Sequence, residues 1–97
     1  MASDIAMLDV REVCDFADYF VVMTAESTRQ INTLVEVIEK ALKDKGTLLH
    51  HREGTGDSGW ALLDFRSLIV HIFRPETRDY YQIEGAWEGA VETVRIL

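Results

Sequence analysis

The stretch HHREGTGDSGWALLDFRSLIVHIF, His50–Phe73, decides how this chain folds. Two apolar runs, Trp60–Phe65 and Leu68–Phe73, are separated only by the polar pair Arg66-Ser67, the pattern of a β-hairpin. Ahead of them, Glu53–Gly59 holds Gly54, Gly56 and Gly59 beside the acidic Glu53 and Asp57, a loop by composition. Its glycines suit a flexible loop that approaches a partner closely. Side chains alternate along a strand, so Trp60, Leu62 and Asp64 share one face of the first strand, and Ile69, His71 and Phe73 share one face of the second. An indole, a carboxylate and an imidazole gathered on a sheet fit a catalytic site, a docking surface, or a core with polar exceptions.

Working outward, Thr47–Arg52 reads as a short strand before the loop. Further back, Ser27-Thr28-Arg29-Gln30 has the S-x-x-Q form of a capping box, and Ile31, Leu34, Val35, Ile38, Ala41 and Leu42 follow at helical spacing. Glu36–Lys40 and Glu39–Lys43 are i,i+4 pairs in the favourable order, and Gly46 is placed to close the helix. Asp18–Thr24, DYFVVMT, is β-branched and aromatic almost throughout, which predicts a central strand covered on both faces. Ile5–Val10 is a first strand, and Arg11–Ala17, without a clean period, is a connection. Beyond the hairpin, Pro75 starts a helix from Glu76 to about Glu84, interrupted at Gly85. Ala90–Leu97 packs back as a helical turn or an edge strand. The expected order is β-β-α-β-β-β-α, an α/β fold of the α+β kind with a mixed five-stranded sheet and helices packed on it.

Ninety-seven residues make a single domain, 1–97, and no run approaches the ~20 apolar residues of a membrane span. One cysteine, Cys14, allows no intramolecular disulfide. These features predict a cytoplasmic protein. Seventeen acidic against ten basic residues give a formal charge of −7, which repels phosphate backbones and suits a basic protein surface. Direct nucleic-acid binding is therefore not expected as the main activity.

The motifs of metal and nucleophile chemistry are missing. His50 and His51 are adjacent and point to opposite faces of a strand, so they do not share an ion easily, and no HxxxH, CxxC or HxH spacing supports a metal site. No serine sits in a G-x-S-x-G turn, and the G-T-G-D-S-G loop lacks the lysine and following helix of a phosphate-binding loop. No metal or cofactor is expected. The enzyme alternative is a metal-dependent nucleotidyltransferase-like protein using Asp9, Asp64 and His71; its usual D-x-D pair behind a Gly-Ser turn is not present. Trp60 stands out instead, as a core anchor or as an exposed aromatic of the type enriched in interfaces. Leu62 and Asp64 would give its face an apolar centre and an acidic edge.

Seven segments in order resemble one family: Asp4–Val10 (DIAMLDV), Ala17–Val22 (ADYFVV), Ser27–Gln30 (STRQ), His51–Gly54 (HREG), Trp60–Phe65 (WALLDF), Val70–Phe73 (VHIF) and Glu76–Trp87 (ETRDYYQIEGAW). The chain is thereby similar to the ribosomal silencing factor, or Iojap, family. The resemblance implies a nucleotidyltransferase-like fold without catalytic carboxylates, and a translation repressor rather than an enzyme. It implies binding to the large ribosomal subunit through ribosomal protein L-fourteen, steric blocking of subunit association, and a homodimer off the ribosome. In a eukaryote the location would be organellar. Carried over by position, the partner-binding residues are Trp60, Leu62 and Asp64, then Glu53, Asp57 and His71; Arg78, Tyr81 and Glu84 correspond to family positions after the proline, and Arg78 and Tyr81 are expected to tie the last helix to the sheet. Family members usually carry an additional helix before the first strand, and by this resemblance the domain is expected to lack it, since the sequence begins almost at that strand. Ala25-Glu26-Ser27 replaces the family's G-T-S turn, which alters local backbone freedom.

Overall fold

The hairpin forms on the residues that announced it. Phe65 N–H donates to the Leu68 carbonyl at 2.8 Å, Arg66 takes a left-handed φ of 74°, and Asp64 Oδ1 accepts from the Arg66 amide at 2.7 Å. A side-chain oxygen thus holds the turn that glycine would otherwise favour. In chain order the elements are β1 (Ser3–Asp9), β2 (Tyr19–Thr24), α1 (Thr28–Asp44), β3 (His51–Glu53), β4 (Trp60–Asp64), β5 (Leu68–Phe73), α2 (Pro75–Tyr81), α3 (Ile83–Ala86) and β6 (Val91–Ile96). They come from a computed structural model that describes residues 2–97.

The strands make one mixed sheet in the order β3-β4-β5-β2-β1-β6. Among the described residues only β2 and β5 run parallel; the other neighbouring pairs are antiparallel. The sheet has six strands, not five, because the segment after Ala90 pairs with β1 as an edge strand. All six of its residues are exposed, so no burial alternation marked it in the sequence. β2 sits at the centre, as its composition required.

Helix α1 begins and ends on identifiable chemistry. Ser27 Oγ accepts from Gln30 N at 3.2 Å, while Gln30 Oε1 reaches back to Glu26 N at 2.9 Å, one residue earlier than a capping box expects. At the other end Gly46, at φ 90°, lets Gly46 N–H reach Lys43 O and Thr47 N–H reach Leu42 O, a Schellman closure. That closure occupies Thr47, and β3 starts only at His51 rather than at Thr47. Among the described residues the two expected i,i+4 pairs do not form. Lys40 pairs with Asp44 at 3.0 Å, and Glu39 reaches across to Arg52 at 3.6 Å.

The sheet is buried on both sides by two separate cores. On one side Ile31, Leu34 and Val35 of α1 pack on Met23, Leu63, Phe65, Val70 and Ile72. On the other, Leu8, Phe20, Val22, Ile69 and Phe73 are covered by Cys14 and Ala17 from the β1–β2 connection and by Ile83 and Trp87 after α2. The second helix stops at Tyr81, and the break is Gln82, at φ 47°, not Gly85. Gln82 takes a left-handed backbone that glutamine rarely adopts, and the side chains of Arg78 and Glu84 pair across it.

Candidate docking site on the hairpin face

Strand register lines up the site in rows across the sheet. Glu53 of β3 lies opposite Leu62, Leu62 opposite His71, and His71 beside Val22 of β2. The neighbouring rows carry His51–Asp64–Ile69–Phe20 and Trp60–Phe73. Alternation put each trio on one face of its own strand, and the register brings Trp60, Leu62 and Asp64 onto the same face as Ile69, His71 and Phe73. All three on β4 are half-buried.

Trp60 serves both as anchor and as surface. Its ring stacks on Phe73 at 5.0 Å between centroids and meets Tyr81 at 4.8 Å, and its indole N–H donates to His71 Nδ1 at 3.2 Å. Two clefts flank the Trp60–Leu62 ridge. One, of about 260 Å³, is lined by Glu53, Gly54, Ser58 and Tyr81 beside the ridge. The other, of about 300 Å³, is walled by Phe16, Phe20, Ile83 and Trp87 opposite the ridge, with His71 also lining it. Trp87 meets Phe20 edge-on at 5.5 Å and Phe16 at 5.9 Å. This aromatic wall was not among the residues expected from sequence. Its only signals there were a phenylalanine in an aperiodic connection and a second tryptophan.

His71 is 3% exposed, and burial pushes its pKa down to about 4. The ring is neutral at pH 7, and because Nδ1 accepts from Trp60 its proton resides on Nε2. Among the described residues that buried nitrogen has no hydrogen-bond partner. Asp64 Oδ1 is held by the turn, which leaves Oδ2 for an incoming cation. Glu53 is exposed, borders both clefts and lies 3.5 Å from His51.

The glycine loop is fastened rather than free. Thr28 Oγ1 donates to Gly56 O at 3.1 Å, and Gly56 N–H donates to Asn32 Oδ1 at 3.0 Å, tying the 3₁₀ turn Gly56–Ser58 to α1. A Cβ on Gly54 would lie 2.1 Å from the Trp60 carbonyl oxygen, so glycine there permits backbone to pass over the start of β4. The expectation of a flexible loop is thus corrected: the loop positions Trp60. Asp57 sits exposed on that turn and lines neither cleft.

Arg78, Tyr81 and Glu84 are structural neighbours of this face. Arg78 is buried and bidentate to Glu84 at 2.9 Å, and it donates to Thr24 Oγ1 at 2.8 Å and to the Asp4 carbonyl. These bonds tie α2 to β1 and β2, and hold the Glu84 carboxyl below the usual carboxylate range. The trio of the enzyme reading is not assembled. Asp9 aligns with Tyr19 and Leu68, whereas Asp64 aligns with the next residue, Ile69, so the two carboxylates point to opposite faces. Two strands also separate them, and Asp9 is bound to Arg11 at 2.7 Å. His50 lies 3.0 Å from Arg66, and no group of three metal-ligating side chains occurs among the described residues.

The family described as "Ribosomal silencing factor during starvation" matches residues 1–96. A relative from Chromobacterium violaceum, named "Ribosomal silencing factor RsfS", is 34% identical over 86 residues, covering 89% of this chain and 70% of its own. The mouse "Mitochondrial assembly of ribosomal large subunit protein 1" is 33% identical over 89% of this chain, which spans 39% of that longer protein. A crystal structure of a Chromobacterium violaceum protein superimposes with a TM-score of 0.85 at 30% identity, covering 96% of this chain and 79% of that one. With the motif series, the sheet and the end-to-end match in agreement, this chain belongs to the ribosomal silencing factor family.

Proposed function

We propose that this chain represses translation by binding the large ribosomal subunit through ribosomal protein L-fourteen and sterically blocking subunit association. The observation that carries this reading is the Trp60–Leu62 ridge: half-buried, flanked by two clefts, and edged by the carboxylates of Glu53 and Asp64. An apolar centre with a charged rim is the anatomy of a protein-docking surface. The chain's charge of −7 favours encounter with a basic ribosomal protein and disfavours bare RNA. Trp60 and Leu62 supply the apolar contacts, and Asp64 receives a basic side chain. Glu53 and His71 support the same face, and Asp57 contributes only to the long-range field. The work of the chain is steric, not enzymatic, and places it wherever ribosomes are: in the cytoplasm, or in an organelle of a eukaryote. Off the ribosome it forms a homodimer, which sedimentation equilibrium measures.

Co-sedimentation with purified large subunits tests the reading, using the wild-type chain and Trp60→Ala. Retention of the wild type and loss of the variant is the expected result. Equal recovery of both would remove the ridge from the interface. Normal subunit joining by light scattering in excess protein would remove the silencing role.

A further inference from the structure

Phe16 is 64% exposed, a large aromatic open to solvent, and it belongs to neither core of the sheet. It is nevertheless held in place. Cys14 and Ala17 are buried on either side of it, Cys14 N–H donates to the Val10 carbonyl at 2.9 Å, and Asp18 N–H donates to the Ser67 carbonyl at 2.7 Å. The connection is thus pinned at both ends and presents the ring beside Trp87, 5.9 Å away between centroids. Together these two rings wall the 300 Å³ cleft whose other side is the Trp60–Leu62 ridge. Rigidly held aromatics at the edge of a cleft are the side chains that anchor partners most often, because little freedom is lost when they are covered.

We infer that Phe16 and Trp87 are binding residues of the docking site, and that the cleft they wall receives an apolar side chain of the large-subunit protein, next to a lysine or arginine of the same segment. The inference rests on the docking reading above and specifies the chemistry of the partner. Depth and rim differ in character. The floor is apolar at the buried Phe20 and Ile69, while the carboxylates of Glu53 and Asp64 line the cleft and, among the described residues, no lysine or arginine does. An ion pressed onto that floor would lose its water without gaining a partner, so an uncharged group fills the depth. The cation stays at the rim, where the turn leaves Asp64 Oδ2 unused. The cleft opens beside Trp60 and Leu62, so one segment covers the ridge and fills the cleft together. A second copy of this chain suits the cleft less well: it carries a charge of −7 and would approach two carboxylates.

Affinity for purified large subunits is measured by co-sedimentation at graded salt for the wild type, Phe16→Ser, Phe16→Leu and Glu53→Gln, each checked for folding by circular dichroism. Phe16→Ser is expected to weaken binding by about tenfold at low and high salt alike, because the contact it removes is apolar. Phe16→Leu keeps an apolar wall and is expected to recover most of that loss. Glu53→Gln is expected to bind more weakly at low salt and to converge with the wild type as salt rises. Phe16→Ser binding as tightly as the wild type overturns the inference and leaves the docking reading standing. A loss that fades with salt, or Phe16→Leu binding no better than Phe16→Ser, overturns it too. Glu53→Gln matching the wild type at low salt removes the basic neighbour and overturns the inference as stated. Sedimentation equilibrium covers the other occupant: if Phe16→Ser is monomeric where the wild type is dimeric, and its subunit affinity is unchanged, the cleft holds a second copy and the inference is overturned. If the wild type itself does not co-sediment, the docking reading falls and takes the inference with it.

Discussion

Arg78 and Glu84 bind each other through two parallel bonds, Nε to Oε1 and Nη2 to Oε2, both 2.9 Å long. The guanidinium is buried while the carboxylate is partly open, so the pair is asymmetric. Removing the arginine leaves Glu84 only Arg95, 3.6 Å away, and frees α2 from Thr24. Arg78→Ala is expected to lower the unfolding free energy by about 3–5 kcal/mol in urea. Glu84→Gln keeps one acceptor and should cost distinctly less. A loss below about 1 kcal/mol for Arg78→Ala would mean that the guanidinium does not tether the helix.

His71 makes stability depend on pH before most carboxylates titrate. Its pKa is about 4 folded and 6.5 when unperturbed, so between these values the unfolded chain takes up a proton that the folded chain refuses. Stability is therefore full above pH 6.5 and falls as pH drops towards 4, by about 3 kcal/mol from this group alone. Glu84, its pKa lowered mainly by the Arg78 hydrogen bond, adds a loss at more acidic pH as it protonates. Denaturant midpoints across this range should slope for the wild type and flatten above pH 4.5 in His71→Gln. An identical slope in both would assign the acid sensitivity elsewhere.

Two glycines with similar backbones should respond very differently to alanine. Gly46 at φ 90° has no atom within 4 Å of a built Cβ, whereas Gly54 at φ 77° would put its Cβ 2.1 Å from the Trp60 carbonyl oxygen. Gly46→Ala is expected to cost about 1 kcal/mol of backbone strain, and Gly54→Ala that strain plus displacement of β4. Equal melting temperatures for the two variants would show that the loop over β4 yields freely.

Asp64 holds a turn with one oxygen and offers the other to a partner. Asp64→Asn keeps the turn acceptor and removes the charge. Unfolding should change by under about 0.5 kcal/mol, while large-subunit affinity drops at low salt and the two proteins converge as salt rises. A salt-independent difference between them would contradict electrostatic recognition at this residue.

The hairpin was legible because each local signal agreed: alternation, a two-residue turn, and apolar runs of equal length. Alternation also put Trp60, Leu62 and Asp64 on one face of their strand, and the register decided what that face meets. The glycine loop misled, because its composition signals freedom while its fastening comes from Asn32 and Thr28, distant in sequence. Gln82 could not be read as the helix break, since glutamine has no local preference for the left-handed backbone it takes there. The wall at Phe16 and Trp87 was missed because it exists only when the two ends of the chain meet across the sheet.

The one parallel pair has a consequence for the order in which this chain takes shape. Every contact between β2 and β5, from Tyr19 beside Leu68 to Thr24 beside Phe73, joins residues from opposite halves of the sequence. The hairpin can close locally as soon as Phe73 is made, but it gains the sheet's centre only by capturing a strand synthesised long before. The cleft's far wall arrives later still, with Trp87. The hairpin therefore precedes the docking face, which is whole only once Trp87 has joined it.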